Sequence, residues 1–202
     1  LICFLGKGSY GCVNLIKIKS KLYAMKSIYN KKIREKQVLL NYVKWEKENL
    51  KLFNSPFILK LEQTTKDKFL CHYIMEYLPG FSLDEIVKKR IFQNKVYECY
   101  FYFANIIVIL EILRKQKIIH RDIKPANIIV QPNGYLKLID FGLSKYVRDF
   151  TYTIIGSPYF MAPEVIKGNG YGRSCDFWAA AVTLYKIFYS KYPFGDDCHS
   201  AL

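Results

Sequence analysis

The stretch IIHRDIKPANIIV, from Ile118 to Val130, decides how this chain is read. Two apolar clamps enclose His120, Arg121, Asp122, Lys124 and Asn127. Apolar runs bury themselves, and a charge buried without a partner is costly. These charges therefore require partners close by, supplied by the chain or by a ligand.

The composition fits a folded domain. The chain has 202 residues, 51% hydrophobic, 16% aromatic and 24% charged, enough for one large or two small cores. A net charge of +14 points toward acidic partners. The lysines are spread through KIKSK, NKKIREK, KKR and RKQK, however, with no arginine-rich or aromatic-basic block, so a solvated surface and no nucleic-acid partner are expected. Six cysteines without CxxC spacing support neither a zinc site nor a disulfide framework. Reduced thiols and a cytoplasmic location are the expectation. The apolar run VYECYFYFANIIVILEIL, 96–113, is short for a membrane span and carries Glu98, Asn105 and Glu111. A buried helix is expected there, and no membrane span.

Outward from that stretch, the N-terminal side reads as strands. LICFLG, CVNLIKI and LYAMKSI are rich in β-branched and apolar residues and are separated by GKGSYG and KSK. In LYAMKSI, alternation sets Ala24, Lys26 and Ile28 on one face. From Ile33 to Phe53 the period becomes helical, with Leu39, Val43, Leu50 and Phe53 on one stripe. Glu46 falls on that stripe and Glu48 nearly opposite, so one carboxylate faces inward. An inward Lys26 and an inward Glu46 can satisfy each other. ILKLEQ and FLCHYIMEYL read as further strands, and Pro79–Gly80 breaks the pattern. Beyond it lie the helical segments SLDEIVKKR, 96–115 and 174–190, with short strands IIV and YLKLI joined by the turn QPNG. The expectation is an α+β protein in two lobes, residues 1–78 and 79–202, with a cleft between them.

Chemistry-bearing pieces line up in order. GKGSYGCV supplies Gly6, Gly8, Gly11 and Val13 in a G-x-G-x-x-G-x-V pattern, and glycines let backbone amides approach phosphate oxygens. A dinucleotide-binding turn would lead into a helix. Here a strand follows, so the glycines join two strands as a hairpin lid. Asp122 is a candidate base, and Asn127 and Asp140 carry oxygens suited to a hard cation such as Mg²⁺. HRD at 120–122 or DFG at 140–142 alone is a weak signal. The ordered set GxGxxGxV, AMK, HRDIKPAN, DFG and APE (Ala162–Glu164) is not accidental.

With that set the chain resembles the eukaryotic protein kinases over essentially its whole length. The resemblance implies a bilobal fold, with a small antiparallel N-lobe sheet carrying one main helix and a mostly helical C-lobe. It implies that Leu5, Gly6, Gly8, Gly11 and Val13 cover ATP, with Ala24, Ile129 and the gatekeeper Met75 around the adenine. Glu76 and Leu78 would bond the base through their backbone, and Ser82 would also belong to the ATP site. Lys26 would hold the α- and β-phosphates and pair with Glu46. Asn127 and Asp140 would hold Mg²⁺, Asp122 would orient the substrate hydroxyl, and Lys124 would stabilise the transferring group. A lysine two places after the aspartate resembles serine/threonine kinases. Leu50, Leu61, His120 and Phe141 would form an apolar spine. Thr153 would accept a regulatory phosphate read by Arg121 and Lys145. Ser157 would contact Asp122 and Lys124, Asp176 would anchor the HRD backbone, and Glu164 would pair with an arginine beyond this chain.

LGKGSYGCV, SPFILKLE, IMEYLPG, TYTIIGSPYFMAPE and YPFGDD are similar to the AGC group, above all to protist cGMP-dependent kinases. Upstream cyclic-nucleotide-binding regulatory domains or a regulatory subunit, and missing last C-lobe helices, are the corresponding expectations, with MgATP and protein substrates as partners. The alternatives are an inactive kinase fragment and a pseudokinase scaffold; Lys26, Glu46, Asp122, Asn127 and Asp140 argue against the second. Three positions depart from the group. Ser82, Ala126 and Lys186 stand where acidic residues usually read substrate arginines. A preference for basic peptides is therefore doubtful, unless Asp84 or Glu85 substitutes.

Overall fold

Five short apolar segments at the N-terminal end pair into one antiparallel sheet. The coordinates are a computed structural model describing residues 1–8, 11–29, 37–92 and 95–194. Ser9 and Tyr10 of the glycine turn, the expected helix start at Ile33, the side chain of Leu39 and the end of YPFGDD lie outside the described residues. The strands are β1 (Cys3–Gly8), β2 (Gly11–Ile18), β3 (Lys21–Tyr29), β4 (Leu61–Lys66) and β5 (Leu70–Glu76), in the order β1-β2-β3-β5-β4. Glycine turn and sheet agree with the expected hairpin lid, since Gly8 pairs with Gly11 as β1 turns into β2.

Helix α1 (Gln37–Lys51) connects β3 to the segment before β4 and brings Val43, Glu46 and Leu50 to its buried side, while Glu48 is exposed. Ile28, Tyr73 and Met75 of the sheet meet that side in the core, and the Tyr73 hydroxyl donates to the Val43 carbonyl at 2.5 Å. The segment ILKLEQ, 58–63, departs from the reading as a strand over its whole length, because β4 starts only at Leu61. Its first part has another partner. Leu59 donates its N–H to Leu138 and Leu138 donates to Phe57, both at 2.9 Å. The strand that receives it, β9 (Leu136–Leu138), belongs to the C-terminal half.

That half is mostly helical: α2 (Leu83–Lys88), α3 (Val96–Lys115), α4 (Pro163–Ile166) and α5 (Ser174–Tyr189). Short ladders join β6 (Phe81–Ser82), β8 (Ile128–Val130) and β9 in one sheet and β7 (Ile118–Ile119) with β10 (Lys145–Tyr146) in another. The result is the expected α+β arrangement, a sheet-built N-lobe and a helical C-lobe.

Helix α3 differs from the expectation on one side. By length and composition it could cross a membrane. Cys99, Ile106, Ile109, Leu110 and Leu113 are buried in the C-lobe core, but Tyr97, Tyr100, Phe101, Ile107 and Val108 are exposed. An all-round apolar helix needs cover on every side, and the described residues cover one. Its buried polar residue has a structural reason. Asn105 donates to the Phe101 carbonyl at 2.8 Å and accepts from the Leu136 N–H at 3.3 Å, tying α3 to β9. Asn105→Leu leaves that N–H unpaired and is expected to destabilise the chain by about 1–3 kcal/mol, read by denaturant unfolding; an unchanged midpoint would contradict this role.

Candidate active site

Lys26 lies near the middle of β3, opposite Val13 on β2 and Tyr73 on β5, and is 5% exposed. Its Nζ sits 2.5 Å from Glu46 Oε1 and 3.6 Å from Asp140 Oδ1. Burial alone would lower the lysine's pKa, but Glu46 and Asp140 outweigh it and hold it above the ordinary value. Burial likewise pushes the Glu46 carboxyl up while Lys26 pulls it down. Asp140 ends below the usual carboxylate range: burial opposes this, and Lys26 with the Gly142 N–H, at 3.0 Å, overcomes it. The trio is thus a charged cluster in which Lys26 and Glu46 are buried and half-buried Asp140 is turned toward a cleft of about 500 Å³.

Leu5, Gly6, Val13, Ala24, Met75, Glu76, Leu78, Ser82, Asn127, Ile129 and Asp140 line that cleft, together with Lys26 and Glu46. Gly11 has a different reason for being glycine than the one its motif suggests. A Cβ there would lie 1.9 Å from the Ser27 carbonyl oxygen, so close packing of β2 on β3 demands it. Gly6 has open space where a Cβ would point, compatible with a ligand above it.

The loop after β7 is held from below. Asp176, at the start of α5 and 3% exposed, accepts the N–H of His120 at 2.7 Å and of Arg121 at 2.9 Å. Arg121 has φ 66°, a left-handed conformation unusual for a side-chain-bearing residue. Strain of this kind persists where surrounding contacts over-determine it, and the two bonds to Asp176 supply that. The loop so fixed presents Asp122. One carboxylate oxygen accepts from Ser157 Oγ at 2.7 Å; the other accepts from Asn127 Nδ2 at 2.8 Å and lies 2.9 Å from Lys124 Nζ. Lys124 also donates to Ser157 Oγ at 2.7 Å. Asn127 spends its amide on Asp122, while its Oδ1 accepts no hydrogen bond among the described residues. It lines the same cleft as Asp140. A carboxylate and an amide oxygen are donors that suit a hard divalent cation, which keeps its remaining positions for water and phosphate.

His120 is fully buried, its ring edge-on to Phe141 at 5.0 Å, and Leu50 and half-buried Leu61 belong to the same core. Burial depresses its pKa. A second cationic spot lies behind the loop. Arg121 gives its Nε to the Leu143 carbonyl at 2.6 Å, and its two terminal nitrogens are buried and find no hydrogen-bond partner of good geometry among the described residues. Lys145 adjoins it, its pKa lowered by burial and by Arg121. Lys145 bonds the Thr151 hydroxyl at 3.2 Å. Thr153 is exposed, and its hydroxyl has no partner among the described residues. The expected grouping of Arg121, Lys145 and Thr153 is thus met for the two cations, and it is Thr151 that touches the lysine. Glu164 is half-buried and forms no ion pair among the described residues.

The protein kinase domain family matches residues 2–201. This chain belongs to the protein kinase family. It is 36% identical over 202 residues to a cGMP-dependent protein kinase of Eimeria tenella, covering 98% of this chain and 20% of that protein. It is 37% identical to the mouse cAMP-dependent protein kinase catalytic subunit PRKX, covering 97% of this chain and 55% of that protein. With cAMP-dependent protein kinase type 3 of Saccharomyces cerevisiae the identity is 37%, over 94% and 48% of the two. The chain thus spans about one fifth of the cGMP-dependent relative and about half of the other two. The resemblance to the cyclic-nucleotide-dependent AGC kinases is borne out by these relatives.

One charged residue that pairs with the cleft lining escaped the sequence reading. Lys137, in β9, is buried and pairs with Glu76 at 2.8 Å. The signal was a lysine inside the apolar strand YLKLI, three residues before Asp140.

His120 gives a pH prediction. Its folded pKa is depressed, so the unfolded chain takes up a proton that the folded one refuses. Its contribution to stability is complete above the unfolded pKa of about 6.5 and is lost as pH falls toward the folded value, at up to about 1.4 kcal/mol per pH unit. His120→Phe is expected to flatten the melting-temperature profile between about pH 5 and 6.5; an identical slope in parent and variant would contradict this.

Proposed function

We propose that this chain is the catalytic part of a serine/threonine protein kinase that transfers the γ-phosphoryl group of ATP to protein hydroxyls. The observation that carries the reading is one cleft shared by Lys26–Glu46–Asp140 and by Asn127, whose amide bonds Asp122 beside Lys124 and Ser157. Phosphoryl transfer depends on positioning and charge neutralisation more than on covalent catalysis. Lys26, kept protonated and oriented by Glu46, supplies a fixed positive charge to the nucleotide phosphates. Asp122, with both oxygens engaged by Ser157, Asn127 and Lys124, is aimed to accept or orient the substrate hydroxyl's proton. Lys124 can shift from Ser157 toward the transferring group. Asn127 and Asp140 would hold Mg²⁺, which when bound neutralises phosphate charge. Leu5, Gly6, Val13, Ala24, Met75 and Ile129 give the base an apolar slot, and the backbone of Glu76 and Leu78 its polar edge. The scaffold alternative is disfavoured, because none of the charged groups that chemistry needs is substituted.

The relatives' names support regulation by cyclic-nucleotide-binding domains or a subunit elsewhere in the protein. The buried nitrogens of Arg121, which find no hydrogen-bond partner of good geometry among the described residues, and the adjoining Lys145 support a phosphate on the activation segment, on Thr153 by the family pattern. A weak preference for basic substrates is part of the proposal. Lys186 is 3.0 Å from Asp84 Oδ1, and Lys88 is 2.7 Å from Oδ2. Burial alone would raise Asp84, and the two lysines hold it below its ordinary value. Asp84 is therefore already neutralised and unsuited to stand in for the missing acidic positions. Glu85 Oε2 accepts from both the backbone N–H and the hydroxyl of Ser82, each at 2.7 Å, in the cap at the start of α2.

Phosphate transfer from labelled MgATP to a mixed protein substrate should occur with the parent, and Asp122→Asn should lower the rate at least 100-fold, the scale of general acid–base and electrostatic contributions, while ATP binding persists. Binding without transfer in the parent would instead support the scaffold. On a positional peptide array, arginine two or three residues before the acceptor should give less than about a tenfold advantage, the worth of one charge-assisted bond; strong arginine selection there would overturn the specificity reading.

A further inference from the structure

We propose that Lys137 is a positioning residue for the nucleotide, clamping the rear of the cleft through Glu76. This rests on the nucleotide reading of that cleft. Among the described residues two ion pairs cross between the sheet-built lobe and the C-terminal half, and they lie at different ends of the cleft. One is Lys26–Asp140, at the phosphate end. The other is Lys137–Glu76, at 2.8 Å, with side-chain exposures of 8% and 23%.

Each partner of the second pair is fixed by further bonds. Glu76 closes β5, and its Oε1 accepts both Lys137 Nζ and, at 2.7 Å, the Lys60 N–H. The Glu76 N–H returns a bond to the Lys60 carbonyl at 3.1 Å. Lys137 stands opposite Ile129 in the β8–β9 ladder, and β9 also takes the backbone of Phe57 and Leu59. Glu76, Leu59 and Ile129 all line the cleft, and β9 runs directly into Ile139 and Asp140, which line it as well.

One buried ammonium thus joins the residue where the chain leaves the sheet to the strand that delivers Asp140. Removing the buried ammonium leaves the half-buried Glu76 carboxylate without its ion-pair partner. Without Lys137, Glu76 has reason to seek water, and the edge that receives the base samples more arrangements. A site competent for only part of the time binds with its affinity reduced by that fraction. The effect falls on nucleotide binding, since Lys137 touches neither Asp122 nor Lys124.

Titration calorimetry of the full chain with a non-hydrolysable ATP analogue and Mg²⁺, beside steady-state kinetics, tests this. Lys137→Met should weaken binding and raise the KM for ATP about three- to tenfold, with kcat changed less than about twofold, the signature of lost ground-state binding. Lys137→Arg, which keeps the charge, should restore most of the affinity. Glu76→Gln, which keeps an acceptor for Lys60, should show the same KM effect, and the double variant should lose less than the sum; this variant carries the test if Lys137→Met does not fold. Equal nucleotide affinity in parent and variants, or additive losses, overturns the clamp. A parent that binds no ATP analogue overturns both the clamp and the nucleotide reading.

Discussion

A lysine on an inner strand must be neutralised, and the pairing of Lys26 with Glu46 is the constraint on which the rest of this structure turns. The pair fixes the rotation of α1, because Glu46 can reach β3 only when Val43 and Leu50 face the core beside it. It also leaves Lys26 with a second neighbour, Asp140, from the other lobe. Two buried charges and a half-buried third at these distances interact strongly, so small displacements of helix or strand change how the cleft is charged. A phosphate entering there meets a lysine already oriented.

The second constraint is the anchoring of the loop that follows β7. Asp176 is a buried carboxylate whose pKa burial raises, and the N–H groups of His120 and Arg121 draw it back. Those two bonds hold Arg121 left-handed and turn Asp122 toward Ser157, Asn127 and Lys124. The apolar clamps of IIHRDIKPANIIV now have a physical purpose. Ile118, Ile119, Ile123 and Ile128 are buried and form the wall from which the charged side chains project.

Much of this was legible in the sequence because the misfit residues announced themselves. Lys26 and Glu46 stood on otherwise apolar faces, so their pairing followed from burial alone. Asp122, Asn127 and Asp140 were found by the order of their motifs. What remained hidden depended on which segments lie side by side. Lys137 looked like any lysine in a short strand until β9 was seen to adjoin Glu76 and the segment before β4. The early residues of ILKLEQ were strand-like in pattern, but their partner is β9. Gly11 satisfied a phosphate motif and also a packing demand that no pattern displays. The outer face of α3 was expected to be buried from its composition, yet composition does not say what covers it. Thr151 and Thr153 are two residues apart, and only the backbone path of the loop distinguishes the one against Lys145.

The charged cluster at the head of the cleft is the heart of this account, and nucleotide affinity reads it most directly. Titration with a non-hydrolysable ATP analogue, in the presence and absence of Mg²⁺, should show Mg²⁺-dependent binding by the parent chain. Lys26→Met should weaken it by about tenfold or more, the worth of one desolvated charge-assisted contact. Equal affinity in parent and variant, or binding indifferent to Mg²⁺, would contradict the claim that Lys26, Glu46 and Asp140 are assembled to receive a metal-bound nucleotide.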